Sequence, residues 1–424
     1  MPPHAGSSQR HYPSALYLGQ PGAVDRELDW IVRLLPDFDA DANRLLLFAQ
    51  SGASGGWPLS AGDAGSAYCA LPQECFGRVI VGTTCRLFRN PWSQAMLSHL
   101  YAAVRPGGSL VVPFVSEAEA QRKGYWSRTA LEQFFGHGGR EPGDQGVLVL
   151  TREGAPPVVD STLRWHFGHR GSLPAAHAEL RSRAGGIELA GVRALLGPML
   201  LSEEPIAIDE LTLADVLESE GLESVLAVED YLIGGVGYKS ALLNHIARRY
   251  LPPDRPLRFL DQGGGAGFLA AELALQPDLT VQRSVCVDAS LAMALTARRM
   301  HDGLRRALAD RFAFSLTRAG NFTYADQYDL ISFISALMYM PRDEARDAAS
   351  RAFEALRPGG VLIVHENIKS PSYKRDYDLM FTVEELEALL SPFGTPEYYL
   401  STATIEIPRE QVGQRSVFRV IQKQ

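Results

Sequence analysis

The stretch "RFLDQGGGAGFLAAELAL", residues 258–275, decides the fold. An apolar run ends in an acid, five glycines or alanines follow, and apolar residues then recur at helical spacing. The chain leaves a strand, turns with almost no side chains and enters a helix. Glycine lets backbone approach a ligand closely, and free N–H groups at a helix start favour negative charge. The dinucleotide pattern GxGxxG would put Phe268 at its third position, where bulk obstructs helix–strand packing. Gly263, Gly265 and Gly267 form GxGxG instead. Asp261, directly before the turn, suits a ligand carrying an ammonium and a sulfonium better than a pyrophosphate. Asp288 closes the next apolar run 21 residues after Gly267, where a carboxylate can accept both hydroxyls of a ribose.

Outward from this stretch, strand and helix patterns alternate. "LRFLDQ" (257–262) is a strand and "FLAAELALQ" a helix. "RSVCVDAS" (283–290) is a second strand, followed by the helix "LAMALTARRMHDGLRRAL". "FAFSLTRAG" and "YDLISFISAL" read as strands three and four. "RDEARDAASRAFEALRPGG" reads as a helix stopped at Pro358, and "VLIVHEN" is strand five. This predicts an α/β protein with a doubly wound, mostly parallel sheet. "TVEELEALLSPFG", "PEYYLSTATIEI" and "SVFRVIQK" then predict a helix and a terminal antiparallel hairpin.

The runs "FLDQGGGAG", "VCVDASLAMALTARR", "YDLISFISAL" and "ALRPGGVLIV" resemble the successive motifs of class I S-adenosylmethionine-dependent methyltransferases, in family order and spacing over about residues 228–424. The resemblance implies a Rossmann-like sheet and S-adenosyl-L-methionine as cofactor. It implies that Asp261, Gly263, Gly264, Gly265 and Gly267 hold the methionine end of the cofactor. Asp288 would take the ribose hydroxyls with Ala289 beside it, and Asn321 and Phe322 would stand near the adenine. Ser335 and Ala336 would line the methyl-transfer site. "VEDYLIGGVGYKSALLNHIARRY" (228–250) resembles the substrate-side helix of the family, with Tyr231 and Tyr238 as lid residues.

Methyl transfer asks mainly for alignment and sometimes for a base. Candidates beyond the carboxyl ends of strands four and five are Tyr339, His365 and Glu366. Strand alternation sends His365 and Glu366 to opposite sides, so one of them at most is expected to face the substrate. "SALMY" (335–339) replaces the Pro-Pro-aromatic motif of enzymes that methylate base amino groups in nucleic acid.

The N-terminal part repeats the pattern. "AVRPGGSLVV" (103–112) and "FGRVIVGTTCRLF" (76–88) each lie 252 residues before "ALRPGGVLIV" and "YDLISFISALMYM". "LFAQSGASG" (47–55) lies 212 residues before "FLDQGGGAG", which puts Ala49, Ser51 and Ala53 at the places of Asp261, Gly263 and Gly265. The economical expectation is a duplicated unit whose first copy is truncated by loss of its middle, including any equivalent of Asp288. Such a copy would not hold the cofactor and would serve packing, dimerisation or substrate enclosure. The expected domains are 1–154, a connector with helices at 155–225, and a catalytic domain at 226–424.

With 424 residues, two or three domains are expected, and 46% hydrophobic with 21% charged residues is ordinary globular composition. The net charge of −8 disfavours non-specific binding to nucleic acid or anionic membrane. Cys69, Cys75, Cys85 and Cys286 show no CxxC spacing, so no metal site or disulfide framework is expected. The N-terminus lacks an apolar h-region and no run is long enough to span a bilayer, which predicts a cytoplasmic protein. The expected activity is methyl transfer to O, N or C of a small molecule, such as a secondary metabolite, with a homodimer among the expected assemblies. Aminopropyl transfer and a non-catalytic scaffold are the alternatives. The first would need further acids near strand four, and intact Asp261 and Asp288 oppose the second.

Overall fold

The computed structural model describes residues 15–18, 45–48, 73–81, 89–142, 146–169, 236–324, 327–369, 379–398 and 416–424. The chain divides into two compact units, residues 1–89 with 96–158 and residues 90–95 with 159–424.

In the first unit the elements are β1 (Ala15–Leu18), β2 (Leu45–Phe48), β3 (Phe76–Val81), α1 (Pro91–Ala103), β4 (Val104–Pro113), α2 (Glu117–Lys123), α3 (Arg128–Phe135) and β5 (Val147–Thr151). Its five-stranded sheet has the order β2-β1-β3-β4-β5, parallel except for β5. The second unit contains α4 (Thr162–His169), α5 (Gly237–Tyr250), β6 (Leu257–Gln262), α6 (Phe268–Ala274), β7 (Val281–Asp288), α7 (Leu291–Gly303), α8 (Arg305–Leu308) and β8 (Phe312–Leu316). It continues with β9 (Tyr328–Ile334), α9 (Arg342–Ala355), β10 (Leu356–Asn367), α10 (Val383–Leu390), β11 (Glu397–Tyr398) and β12 (Ser416–Gln422).

The second sheet has the order β11-β12-β10-β9-β6-β7-β8, and β12 runs antiparallel to both of its neighbours. The chain builds outward from β6 through β7 to β8, then returns to lay β9 and β10 on the other side. The switch between β6 and β9 opens a crevice at their carboxyl ends. All seven residues of β9 are buried, as a strand covered on both faces requires. Over one face α9 presents Ala345, Ala348, Ala349 and Ala352, a stripe of small residues at helical spacing. The stripe lets the helix lie close to Ile331, Phe333, Leu362 and Val364, each fully buried. Burial of each such large side chain contributes about 1.5–3 kcal/mol. Helix α9 ends at Ala355, short of the expected stop, and Leu356 to Gly360 already belong to β10. The residue before Pro358 is biased towards extended backbone, so the strand begins early.

The two sheets repeat one another in register. β3 and β4 pair as Phe76 with Val104, then as Arg78 with Ser109 after a bulge. β9 and β10 pair as Tyr328 with Leu356, then as Leu330 with Val361 after a bulge, and every number is 252 higher. Gly107 and Gly359 have φ of 76° and 79° in the two bulges, and each N–H donates to the residue that follows the antiparallel strand, Arg152 or Lys423. The side chains of those two residues also match. Arg152 donates to the carbonyls of Ala102 and Val104, and Lys423 to those of Glu354 and Leu356, again 252 residues on. Each cation holds the carbonyl end of a helix where it turns into a strand, the placement that complements the helix dipole.

One expectation is corrected by the strand order. The sequence alignment put 47–55 at the place of the central strand, but β1 lies between β2 and β3. In register through β3, Tyr17 occupies the position of Asp261. β2 takes the place of β7, with Leu47 and Phe48 at the positions of Cys286 and Val287. The strand thought lost is therefore present, and Ala49 lies outside the described residues. Two apolar runs each precede glycines in this region, and spacing to β3 could not choose between them; pairing did. Among the described residues of the first unit there is no counterpart of β8 or β11.

Candidate active site

The carboxyl ends of β6, β7, β9 and β10 converge on the glycine turn. The N–H groups of Gly263 and Gly264 both donate to the carbonyl of Val287, which binds the turn to β7. A Cβ on Gly263 would lie 2.5 Å from that of Ala336, and one on Gly264 would lie 2.5 Å from Asp261 Oδ2. Gly267 has φ of 75°, and a Cβ there would meet the Phe312 ring at 2.8 Å. Gly265 also has a positive φ, 59°, but the nearest atom to an added Cβ is Met293 Sδ at 3.8 Å. Close packing requires three of these glycines, and only Gly265 faces room for a ligand.

Asp261 is fully buried. Its Oδ1 accepts from Ser332 Oγ at 2.6 Å, whereas Oδ2 has no hydrogen-bond partner. Burial pushes its pKa up to about 7, against the ammonium of Lys239. An orphaned carboxylate oxygen at this depth is matched by a cationic donor, as the ammonium of an amino-acid moiety would be. Asp288 is half-buried; Oδ2 accepts from Gly265 N at 2.8 Å and Oδ1 from Ser290 N at 2.9 Å. Ser290 also caps α7 by accepting from Met293 N, so one short loop sets both the acid and the helix.

Glu366 is fully buried, and its Oε1 accepts from Ala336 N at 3.0 Å and Leu337 N at 2.8 Å. It thereby ties the end of β10 to the turn after β9. Oε2 has no partner, and burial pushes the carboxyl up to about 7. Ser335 starts that turn with φ of 57° and donates its N–H to the carbonyl of His365 at 2.7 Å. A non-glycine residue held there is strained, as residues at functional sites often are.

Several expected residues stand elsewhere. His365 packs against Phe418 at 5.6 Å between ring centres, and burial holds its pKa down at about 3, with Lys239 acting the same way. A ring that holds a proton so weakly is a poor base near neutrality. Tyr339 is 60% exposed and lies on the outside of the turn. Phe322 is buried in the core against Tyr324, so only its backbone is free to meet an adenine; Asn321 and Ala289 are exposed. Tyr238 lies on the first turn of α5, and Tyr231 lies outside the described residues.

Three residues escaped sequence reasoning. Lys239, also on the first turn of α5, acts electrostatically on Asp261, His365 and Glu366. A lone lysine at a helix start reads as a solvated charge, and nothing in its spacing says otherwise. Gln262 is fully buried and donates to Tyr324 Oη at 3.0 Å, which braces the turn from the other face of the sheet. A separate cavity of ≈ 250 Å³, lined by Arg248, Pro252, Arg255 and Asp329 among others, lies at the amino ends of β6 and β9. Asp329 is satisfied there by Arg255, Arg357 and Arg258 N, so that end of the sheet is tied by ion pairs.

Three fully buried carboxyls, Asp261, Glu272 and Glu366, have pKa values raised to about 7, burial being the first cause of each. A raised carboxyl favours the folded state below its unfolded pKa, and that contribution is lost as pH rises through the folded value. The melting temperature is therefore expected to fall between about pH 6 and pH 8. Glu272→Gln, which leaves an acceptor for Thr162 N and Oγ1, should flatten the fall. Differential scanning calorimetry at the two pH values checks this; a rising melting temperature would overturn it.

Residues 260–362 match a family model described as a methyltransferase domain. No curated protein matches the chain. Among solved structures, the chain is similar to 1,6-didemethyltoxoflavin-N1-methyltransferase of Burkholderia thailandensis, at 21% identity over 50% of this chain and 88% of that one, with a TM-score of 0.37. It is also similar to magnesium protoporphyrin IX methyltransferase of Synechocystis PCC 6803, at 16% identity over 44% of this chain and 82% of that one, with a TM-score of 0.32. N-methyltransferase NodS of Bradyrhizobium japonicum WM9 is similar at 17% identity over 44% of this chain and 96% of that one, with a TM-score of 0.33. No helix among the described residues is long and apolar enough to cross a membrane. On the family match, residues 260–362 form a methyltransferase domain of the class I type, whose cofactor is S-adenosyl-L-methionine.

Proposed function

We propose that the second unit methylates O, N or C of a small-molecule acceptor, with the cofactor held by Asp261, Asp288 and the turn around Gly265. The observation that carries this is a pair of acids ending adjacent strands, one with an orphaned oxygen, beside a turn in which Gly265 alone of Gly263, Gly264, Gly265 and Gly267 has room for an added Cβ. When bound, S-adenosyl-L-methionine supplies a methyl group already activated on a sulfonium. Asp261 Oδ2 would accept from the methionine ammonium, and the Asp288 carboxylate from the ribose hydroxyls. Glu366 positions the turn at 336–338 rather than touching the acceptor, since its Oε1 is committed to that backbone. The net charge of −8 favours a small acceptor over nucleic acid.

The first unit reads as a duplicate without a cofactor site. The shared bulge, the register and the cation clamp support duplication. Tyr17 at the place of Asp261 supports the loss of binding. Calorimetric titration of the full chain with S-adenosylhomocysteine should saturate at one cofactor per chain. A stoichiometry near two would sink the assignment of a single site. Labelled S-adenosyl-L-methionine incubated with fractionated metabolite extracts should then yield a labelled small product; label found only in nucleic acid or protein would overturn the acceptor class.

A further inference from the structure

The cavity at the amino ends of β6 and β9 lies at the opposite end of the strands from the glycine turn, and methyl transfer makes no use of it. Its volume is ≈ 250 Å³. An apolar cavity of about 150 Å³ already admits benzene, so a ring with one small substituent fits here. Three short segments build the walls. The last turn of α5 and its cap bring Arg248 and Leu251, and the connection to β6 brings Pro252 and Arg255. The turn before β7 brings Asp278 and Leu279. The connection "LPPDRP" (251–256) holds Pro252, Pro253 and Pro256, and each ring fixes its own φ, so this wall is stiff before any ligand arrives. Arg255 N donates to the Pro252 carbonyl at 3.4 Å and closes the turn. Leu251 and Leu257 are buried at the cavity and give it an apolar floor.

The charges at the walls are unequal in what they leave open. Asp329, 1% exposed, accepts from Arg255, Arg357 and Arg258 N. Asp278 is paired with Arg248, so neither acid is left to repel an anion. Arg255 uses Nη2 on Asp329, while its Nε and Nη1 have no partner among the described residues. A buried carboxylate therefore fixes the guanidinium, and its remaining N–H groups form the planar fork that fits a second carboxylate.

We propose that this cavity is a second ligand site, which takes a small monocarboxylate with a compact apolar body. The carboxylate lies on the free edge of Arg255, and the body lies against Leu251, Leu257 and Leu279. Ligand sites of this kind are mostly apolar, with a few placed polar groups that fix orientation. A phosphate-rich ligand fits poorly, because the rest of the wall offers no donors to replace its lost water. β6 spans six residues, so at about 3.3 Å per residue the cavity lies roughly 20 Å from the glycine turn. Its occupant does not touch the cofactor, and the two bind side by side.

Full-chain protein is titrated near neutral pH with para-fluorobenzoate and with para-fluorobenzamide, a neutral probe of the same shape, and binding is read by fluorine NMR. The carboxylate should bind with a Kd of about 1 mM or tighter, and the amide at least about tenfold more weakly. Arg255→Gln should weaken the carboxylate at least about tenfold; Asp329 keeps Arg357 and Arg258 N in that variant. Thr280→Trp fills the cavity from an exposed position whose carbonyl already accepts from Leu257 N. It should abolish binding of the probe with little change in melting temperature. Saturating S-adenosylhomocysteine should leave the affinity for para-fluorobenzoate unchanged. Equal affinity for the two probes overturns the proposal, as does a carboxylate affinity that Thr280→Trp does not alter. Displacement of the probe by S-adenosylhomocysteine overturns it too, since the probe would then occupy the cofactor site.

Discussion

Asp288→Ala is expected to bind S-adenosylhomocysteine at least about 100-fold more weakly than wild type. Two charge-assisted hydrogen bonds to the ribose, at about 1.5–3 kcal/mol each, sum to at least two decades in affinity. The geometry adds a second loss, because Asp288 also accepts from Gly265 N and Ser290 N and so sets the shape of the turn and the start of α7. Asp288→Asn separates the two effects. Its one carbonyl oxygen can keep an acceptor for the turn while the charge is gone, so a loss of about tenfold is expected. Isothermal titration reads both variants. If Asp288→Ala binds as wild type does, the ribose assignment fails, and the carboxylate serves only to join two loops.

The glycine turn provides the second large effect, as a contrast between neighbours. Gly267→Val would place a β-branched residue at φ of 75° and a Cβ 2.8 Å from the Phe312 ring and 3.1 Å from Cys286 Cβ. Left-handed backbone costs an L-residue about 1–2 kcal/mol, and overpacking costs about 1–3 kcal/mol more. Against a total stability of about 5–15 kcal/mol, that loss should lower the melting temperature sharply. Gly265→Ala bears only the backbone cost, since its Cβ meets nothing closer than Met293 Sδ at 3.8 Å. The fold should survive with a small shift, and S-adenosylhomocysteine should bind at least about tenfold more weakly because the methyl enters the ligand's space. Equal melting temperatures for the two variants would mean that the turn relaxes around the added carbon. Unchanged affinity in Gly265→Ala would move the cofactor away from this face.

Much of the second unit was legible in its sequence. β6 spans the run "LRFLDQ" read from the sequence, and α6 starts at Phe268 as its pattern said. The mostly parallel sheet follows from the alternation of periods, and the antiparallel β12 from the late change of character. The local geometry was legible where a residue type is bound to a turn, as with Gly263 and Gly267, whose positive φ and close packing ask for glycine. It was not legible where the role depends on who is near. Glu366 and His365 are adjacent in sequence and looked interchangeable as bases. One anchors the backbone of the next loop and the other packs against Phe418. Tyr339, read as an acceptor-side residue, is 60% exposed.

The first unit shows the division most clearly. Its repeat at a constant offset was in the sequence, because a helix that ends at Arg-Pro-Gly-Gly and turns into a strand needs those residues locally, wherever the fold puts them. Which run pairs with β3 was not, because "SALYLG" and "RLLLFA" carry the same local signal. Local periodicity and turn chemistry depend on neighbours in the chain, so the sequence determined the elements, the constant offset and the glycine turn. Pairing, burial and the pKa of a carboxyl depend on neighbours in space. Only the tertiary structure could therefore put Tyr17 at the place of Asp261 and orphan one oxygen of Asp261.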